Sequence, residues 1–447
     1  MNQQNKRYIL NIKSKSWTKD HHFLYDYESN HTQNKDFNIC TTSYITRDQE
    51  NININYFVNG EEEFLFKAKY NNNEFTLENE IPQLILPTEE NINKISSKMW
   101  YILKSDPIRS NQSVQNINNT NDDYYLCNND IIKFGRVKLL INEINIPSRQ
   151  NNIDFSLENN DTKKYDIDNL NKNTQPVFDF IYRAKDASEF NDIPDDEKIC
   201  KICYNEENNR ENNPLVNLCH CIGGIRFAHF LCIKRWMQTK EFYKENSKKT
   251  VKCYGFMNFN CEICKTPYPF KFKINGIEKN FELIDIKKPI GSDYIVLESL
   301  NQIKNKSNCK YIHVIKLTGD ELIIGRSKES DITINDISVS RNHALLKYNI
   351  NDGSLLIRDL KSKFGTLILI KKPLKIKEKE IHLQVGRTYI EANIVNSNKP
   401  ILFKVHHMET KVEVDDINNK NNKMEIEEEY EEQNMQKKIN FECLNNI

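Results

Sequence analysis

Seven cysteines and one histidine between residues 200 and 264 are spaced for metal chemistry: Cys200-x-x-Cys203, Cys219-x-Cys221, His229-x-x-Cys232 and Cys261-x-x-Cys264. Zinc takes four soft or borderline ligands in a tetrahedron, and two ligands one or two residues apart can reach one ion from a single tight turn. Four such pairs make two closed sites. In cross-brace order, Cys200, Cys203, His229 and Cys232 hold the first ion, and Cys219, Cys221, Cys261 and Cys264 the second. Both are expected to be structural Zn2+ sites, because neither leaves a position for a water that could be activated.

The residues around these ligands narrow the scaffold. The segment CHCIGGIRFAHFLCIKRW resembles the RING-CH (RING-variant) zinc finger of ubiquitin ligases, with Gly223 two residues after the fourth ligand and Trp236 four after the sixth. A PHD finger has the same ligand types in the same order. It usually has fewer residues between the fourth ligand and the histidine, and a tryptophan two before the seventh ligand, where this chain has Phe259. RING-CH is the better match.

That resemblance implies a ligase with no covalent intermediate, which binds a ubiquitin-conjugating enzyme carrying ubiquitin and acts by positioning and electrostatics. The implied contacts are Ile202 between the first two ligands, Trp236 on a short helix after Cys232, Lys265 directly after the last ligand, and Pro267. Each has a plainer reading beside it. Trp236 falls in a helical pattern with Ile233 and Met237 that suits core packing equally well, and Lys265 suits a solvated lysine. The interval from Cys232 to Cys261 is longer than in most such fingers, and its KEFYKENSKKT stretch reads as an extended helix or insertion.

Composition sets the compartment expected. Cys40, Cys127, Cys253, Cys309 and Cys443 are scattered without paired spacing, and the N-terminus MNQQNKRYILNIKSK is polar. A disulfide framework belongs to small secreted chains. No apolar run approaches the roughly 18 residues that span a bilayer, a departure from the membrane-anchored members of the RING-CH family. The expectation is a soluble, reduced protein of nucleus or cytoplasm. Its 63 basic and 63 acidic residues cancel, so no nucleic-acid partner is expected.

From about residue 310 the sequence alternates apolar and polar residues between turn signals, as in YIHVIKL, ELIIGR, HALLKYNI and SLLIRDL. Short antiparallel strands in a sandwich are expected, with Asn351, Asp352 and Gly353 at a hairpin turn. Gly325-Arg326, then Ser340-Arg341-Asn342-His343, then the run from Asp359 to Gly365-Thr366 resemble, in order and spacing, the forkhead-associated (FHA) domain. This β-sandwich binds phosphothreonine at its loop end. A phosphothreonine carries nearly two negative charges and three acceptor oxygens, so its site needs a fixed guanidinium, a hydroxyl and further cations on rigidly held loops.

The FHA resemblance assigns phosphate contacts to Arg326 and Ser340, further cationic contacts to Arg341 and Lys363, and structural roles to Gly325, His343 and Gly365. Many members carry asparagine immediately before the Gly-Thr pair, whereas this chain has Phe364, which implies altered peptide affinity or selectivity.

The upstream third is less specific. WTKDHHFLYDY, YFVNG and MWYILKSD read as strands, and DIIKFGRVKLLINEI is similar to HLQVGRTYIEANI, each placing Gly-Arg inside an apolar alternation. A degenerate FHA-like copy and a coincidence both explain so short a match. The expected organisation is multidomain: a β-rich region over 1–147, a linker over 148–194, the RING-CH finger over 195–275, a linker over 276–304, an all-β FHA sandwich over 305–397 and a polar acidic tail over 398–447. The expected function is ubiquitin transfer to targets recruited through a phosphothreonine. A non-enzymatic phosphothreonine adaptor with a PHD-like zinc module is the alternative, and a chromatin reader a third.

Overall fold

The computed structural model describes residues 7–18, 24–25, 32–56, 62–79, 98–103, 123–146, 182–300 and 309–397. The acidic tail and most of the expected linker 148–194 lie outside these residues. Upstream of the finger the strands are β1 (Arg7–Trp17), β2 (Thr32–Ile39), β3 (Ser43–Asp48), β4 (Asn51–Asn55), β5 (Glu63–Asn71), β6 (Glu74–Glu78), β7 (Met99–Leu103), β8 (Tyr124–Tyr125), β9 (Ile131–Phe134) and β10 (Val137–Asn145). The finger region holds β11 (Tyr182–Asp186), β12 (Leu215–Asn217), β13 (Phe227–His229), α1 (Phe230–Gln238), β14 (Glu241–Glu245), β15 (Val251–Met257), β16 (Lys271–Ile274) and β17 (Phe281–Glu282). Downstream lie β18 (Tyr294–Ser299), β19 (Cys309–Lys316), β20 (Leu322–Gly325), β21 (Ile332–Thr333), β22 (Ala344–Asn349), β23 (Ser354–Asp359), β24 (Thr366–Leu369), β25 (Leu374–Ile376), β26 (Ile381–Val385) and β27 (Thr388–Ser397).

The sheets do not follow the order of the sequence. One sheet of twelve strands runs β14-β15-β19-β18-β10-β9-β24-β7-β26-β27-β1-β2, a sheet of five within the finger runs β13-β12-β11-β16-β17, and two further sheets of five run β21-β20-β22-β23-β8 and β25-β6-β5-β3-β4. The seam between β24 and β7 is antiparallel, from Thr366 opposite Leu103 to Leu369 opposite Trp100. Outward from this seam the order repeats: a Gly-Arg hairpin (β9–β10 or β26–β27), then a second strand pair (β18–β19 or β1–β2). The two five-stranded sheets outside the finger repeat it too, each ending on a strand from the far half of the chain, β8 in one and β25 in the other. The two Gly-Arg segments thus form hairpins at corresponding places on either side of the seam. Gly135 and Gly386 adopt positive φ of 56° and 54° at the two turns, where a residue with a Cβ is strained.

The two halves exchange strands. β8, β9 and β10, from upstream of the finger, complete the sandwich of β18–β24, while β25, β26 and β27 pair beside the upstream strands. The blocks 1–147 and 305–397 share sheets, and the expected linker 276–304 contains β17 and β18. The downstream sandwich core joins Ile132, Phe134, Val137, Leu139 and Ile141 to Ile324, Ala344, Leu346, Ile357 and Ile368. Each of these buried Val, Leu, Ile and Phe side chains contributes on the order of 1.5–3 kcal/mol.

The Lys-rich stretch after α1 also differs from expectation. It is a β-hairpin, β14–β15, not a helix, and β15 pairs with β19 from Val251 opposite Ile315 to Met257 opposite Cys309. Side chains alternate across a strand. Tyr254, Phe256, Tyr294, Val296, Ile312 and Val314 accordingly enter the finger core, while Val251, Ile295, Leu297 and Ile315 enter the sandwich core. Finger and sandwich lie on opposite faces of shared strands.

The expected downstream hairpin is present. β22 and β23 pair from Ala344 opposite Asp359 to Asn349 opposite Ser354, and Gly353, at φ 64°, donates its N–H to Asn349. MWYIL forms β7 as expected, whereas the other two upstream stretches fall largely outside the described residues.

Candidate metal centres and phosphate-binding loops

The eight expected ligands gather into the two expected sets. In Cys200, Cys203, His229 and Cys232, and in Cys219, Cys221, Cys261 and Cys264, the ligand atoms lie within 4.8 Å of one another. His229 Nδ1 faces the thiols, 3.3 Å from Cys203 Sγ and 3.8 Å from Cys232 Sγ, while Nε2 meets the carbonyl of Glu207 at 2.5 Å. That outer contact holds the proton on Nε2 and leaves Nδ1 for a metal.

Two knuckles are built alike. Tyr204 N–H donates to Cys200 O at 2.8 Å and Lys265 N–H to Cys261 O at 2.9 Å; both residues take positive φ, 58° and 59°. Ile202 N–H and His229 N–H each donate to Cys200 Sγ at 3.4 Å. Burial pushes the Cys200 thiol up, but backbone donors bring it down to about 7. Cys264 is likewise opposed by burial and brought down to about 6, chiefly by hydrogen bonds from Thr266. Both sets fit zinc thiolates and are suited to binding two zinc ions.

One contributor escapes the spacing pattern. Lys201 Nζ lies 3.4 Å from Cys219 Sγ and 3.6 Å from Cys261 Sγ, so the first knuckle supplies a cation to the second site. Four thiolates leave a net double negative charge on bound zinc, and an ammonium at this range offsets part of it.

The proposed conjugating-enzyme contacts sit at the finger surface. Ile202 is 41% exposed and Trp236 40% exposed, whereas Ile233 and Met237 beside Trp236 on α1 are buried. Trp236 is therefore not a core residue. Lys240 Nζ lies 4.4 Å from the Trp236 ring centre and pairs with Glu262 at 2.8 Å, which ties the helix to the second knuckle. Lys265 is exposed and Pro267 half-buried. Ile263 inside that knuckle, not singled out by sequence, is 58% exposed.

The residues to which the FHA resemblance assigns phosphate contacts meet at one end of the downstream sandwich. Arg326 N–H donates to Ser340 O at 3.0 Å, Ser340 N–H to His343 Nδ1 at 3.1 Å, and Lys363 N–H to Ser340 Oγ at 3.1 Å. His343 is fully buried and its Nε2 faces Gly365 O at 3.1 Å. With Nδ1 accepting, Nε2 donates, which is the neutral imidazole; burial lowers its pKa, against the opposing charge of Asp359. A Cβ on Gly325 would lie 1.9 Å from Arg341 O, so only glycine permits these two loops to touch. Gly365 takes φ 69°. Arg326 and Arg341 are exposed, with no carboxylate partner among the described residues. Lys363 is exposed, its Nζ 5.6 Å from the Phe364 ring centre.

Residues 200–264 match the RING-variant domain family, and residues 322–388 match the FHA domain family. The chain carries a RING-variant domain and an FHA domain. The chain is 27% identical over 86 residues to the E3 ubiquitin-protein ligase MARCHF8 of Xenopus tropicalis, covering 19% of this chain and 26% of that one. It is 26% identical over 111 residues to human MARCHF1, covering 25% and 32%. It is also 33% identical over 86 residues to the ERAD-associated E3 ubiquitin-protein ligase DOA10 of Saccharomyces cerevisiae, covering 19% and 6%. The chain thus spans less than a third of the length of these relatives.

These relatives correct the expected compartment. Among them DOA10 is ERAD-associated, and the expected placement in nucleus or cytoplasm is contradicted. That placement rested on the lack of an apolar run, which does not fix a compartment. Among the described residues, no helix is long and apolar enough to cross a membrane.

Proposed function

We propose that this chain is a RING-type E3 ubiquitin ligase. Its RING-variant domain binds a ubiquitin-charged conjugating enzyme, and its FHA domain recruits the target through a phosphothreonine. The observation that carries the reading is the exposed Trp236, held off the finger core and tied through Lys240 to the knuckle of the second zinc set. Ile202, Lys265 and Pro267 supply the remainder of the contact.

The mechanism proposed is non-covalent. In the finger, every cysteine but Cys253 is a zinc ligand, and burial pushes the Cys253 thiol up to about 12, so no thiolate is left to accept ubiquitin. Catalysis then consists of holding the thioester in an attackable geometry. On the FHA side, Arg326 meets Ser340 through its backbone N–H and Arg341 follows Ser340 in sequence; two exposed guanidiniums and a hydroxyl are a donor set suited to a phosphate dianion.

The test uses the full chain, because the finger core includes β18 and β19. Zinc-loaded protein is incubated with ubiquitin-charged conjugating enzymes and free lysine, and thioester discharge is followed against Ile202→Ala and Trp236→Ala. Accelerated discharge that both variants lose, with zinc retained, supports the ligase. No acceleration across a broad enzyme panel replaces it with a non-enzymatic phosphothreonine adaptor.

A further inference from the structure

We infer that residues 123–145, upstream of the RING-variant domain, are part of the phosphothreonine reader, and that Arg136 is the positioning residue for its Ser340 loop. The inference rests on the phosphothreonine reading proposed above and extends it to a segment outside the FHA family match.

The β9–β10 turn is seated directly on the loop that leads to Ser340. Gly135 packs so closely that a Cβ there would lie 2.4 Å from Ser338 Oγ and 2.5 Å from Ser338 O. The next residue, Arg136, donates its N–H to Ser338 Oγ at 2.9 Å, and its guanidinium donates to Asp336 Oδ1 at 3.1 Å. Asp336 Oδ1 also accepts from Ser338 N–H at 2.8 Å and from Ser338 Oγ at 2.7 Å. The turn Asp336–Ser338 is therefore clamped between its own side-chain cap and Arg136. Ser340 follows two residues later.

The same hairpin braces the opposite side of the site. Phe134 pairs with Thr366 across β9 and β24, and its ring meets the His343 ring edge-on, with centroids 5.2 Å apart. His343 in turn holds Ser340 N–H and faces the carbonyl of Gly365. Further back, Asp123 accepts two hydrogen bonds from the Arg358 guanidinium, at 2.6 and 2.8 Å, and β8 pairs with β23. One hairpin thus sets the spacing between the Ser340 hydroxyl and the Gly365 turn. Arg136 is separated from Ser338 by 202 positions, with the whole finger between them.

Arg136 is 43% exposed, so removing its side chain tests the clamp without opening the core. The experiment uses the full zinc-loaded chain with a degenerate phosphothreonine peptide pool and its unphosphorylated counterpart, with affinity read by fluorescence anisotropy and thermal stability alongside. Arg136→Ala is expected to weaken phosphopeptide binding about tenfold, the scale of one charged hydrogen bond, with little change in melting temperature. Arg136→Lys, which keeps a cation near Asp336, is expected to recover most of it. Amide exchange at Val339 and Ser340 is read on the same variants, and Arg136→Ala is expected to speed it about tenfold.

Unchanged binding and exchange in Arg136→Ala overturn the inference. So does a loss of binding that follows global stability and is not recovered by lysine, which marks a merely structural residue. If the wild type ignores the phosphorylated pool, the phosphothreonine reading fails, and exchange alone decides whether Arg136 holds the loop.

Discussion

At the scale of single residues, the zinc sites show how local and distant chemistry divide. The ligand pairs are two or three positions apart and could be read from spacing alone, because a knuckle is a local turn. Lys201 could not, since its thiol partners lie 18 and 60 positions away. We expect Lys201→Met to weaken zinc at the Cys219, Cys221, Cys261, Cys264 site by about 10–100-fold, the usual cost of losing an outer-shell partner. Competition with a chromophoric chelator checks this: biphasic release is expected, with the His229 site unmoved, and uniform release would refute it. Trp236 fell between two readings in the sequence because helical periodicity marks a face without saying what covers it. Its exposure decides for the surface.

At the scale of elements, KEFYKENSKKT is rich in charge and lacks a clear period of two, so its sequence suits a helix or an insertion, and of these the structure excludes the helix by forming the hairpin β14–β15. Its partner strand explains the fold. Gly255 on β15 lies beneath the Phe242 ring, where a Cβ would come within 2.0 Å, so β14 covers a glycine that would otherwise weaken the strand. β15 then docks on β19, where His313 stands opposite Cys253, 3% exposed and with no hydrogen-bond partner for Nδ1 among the described residues.

Burial pushes the His313 imidazole down to about 4. A ring neutral in the folded state but protonated when unfolded stabilises the fold above its ordinary pKa, and this contribution is lost as pH falls toward the folded value. Lowering pH from 7 to 5.5 should therefore cost roughly 1 kcal/mol through this group. Urea midpoints at the two pH values measure it, and His313→Leu should remove that share of the acid sensitivity. An equal pH response in both proteins would count against it.

At the scale of the whole molecule, the exchange of strands makes the domain match and the folding unit different objects. The FHA match over 322–388 omits β8, β9, β10, β18 and β19, and with them Ile132, Phe134, Ile141, Ile295 and Ile315 of the sandwich core. We expect a 305–397 fragment to lack a cooperative thermal transition and phosphopeptide binding, while the full chain unfolds with both sandwiches in one transition, as interleaved strands require. A fragment that melts cooperatively and binds as tightly as the full chain would refute the exchange. So many pairings between distant segments also predict slow folding.

The sequence by itself determined the local features: metal-ligand type and pairing, the FHA motifs and their order, and the turn at Gly353. Each depends on residues close together in the chain, where covalent geometry limits the possibilities. It also held the Gly-Arg repeat, though not its meaning. Only the tertiary structure decided which strands complete which sandwich, that one set of strands serves both the finger and the FHA core, and that Lys201 and Arg136 support sites built elsewhere. Alternation marks a strand without naming its neighbour, because any strand with the right apolar face can pair. Partner choice is settled by the side chains on both faces once the chain has folded back on itself.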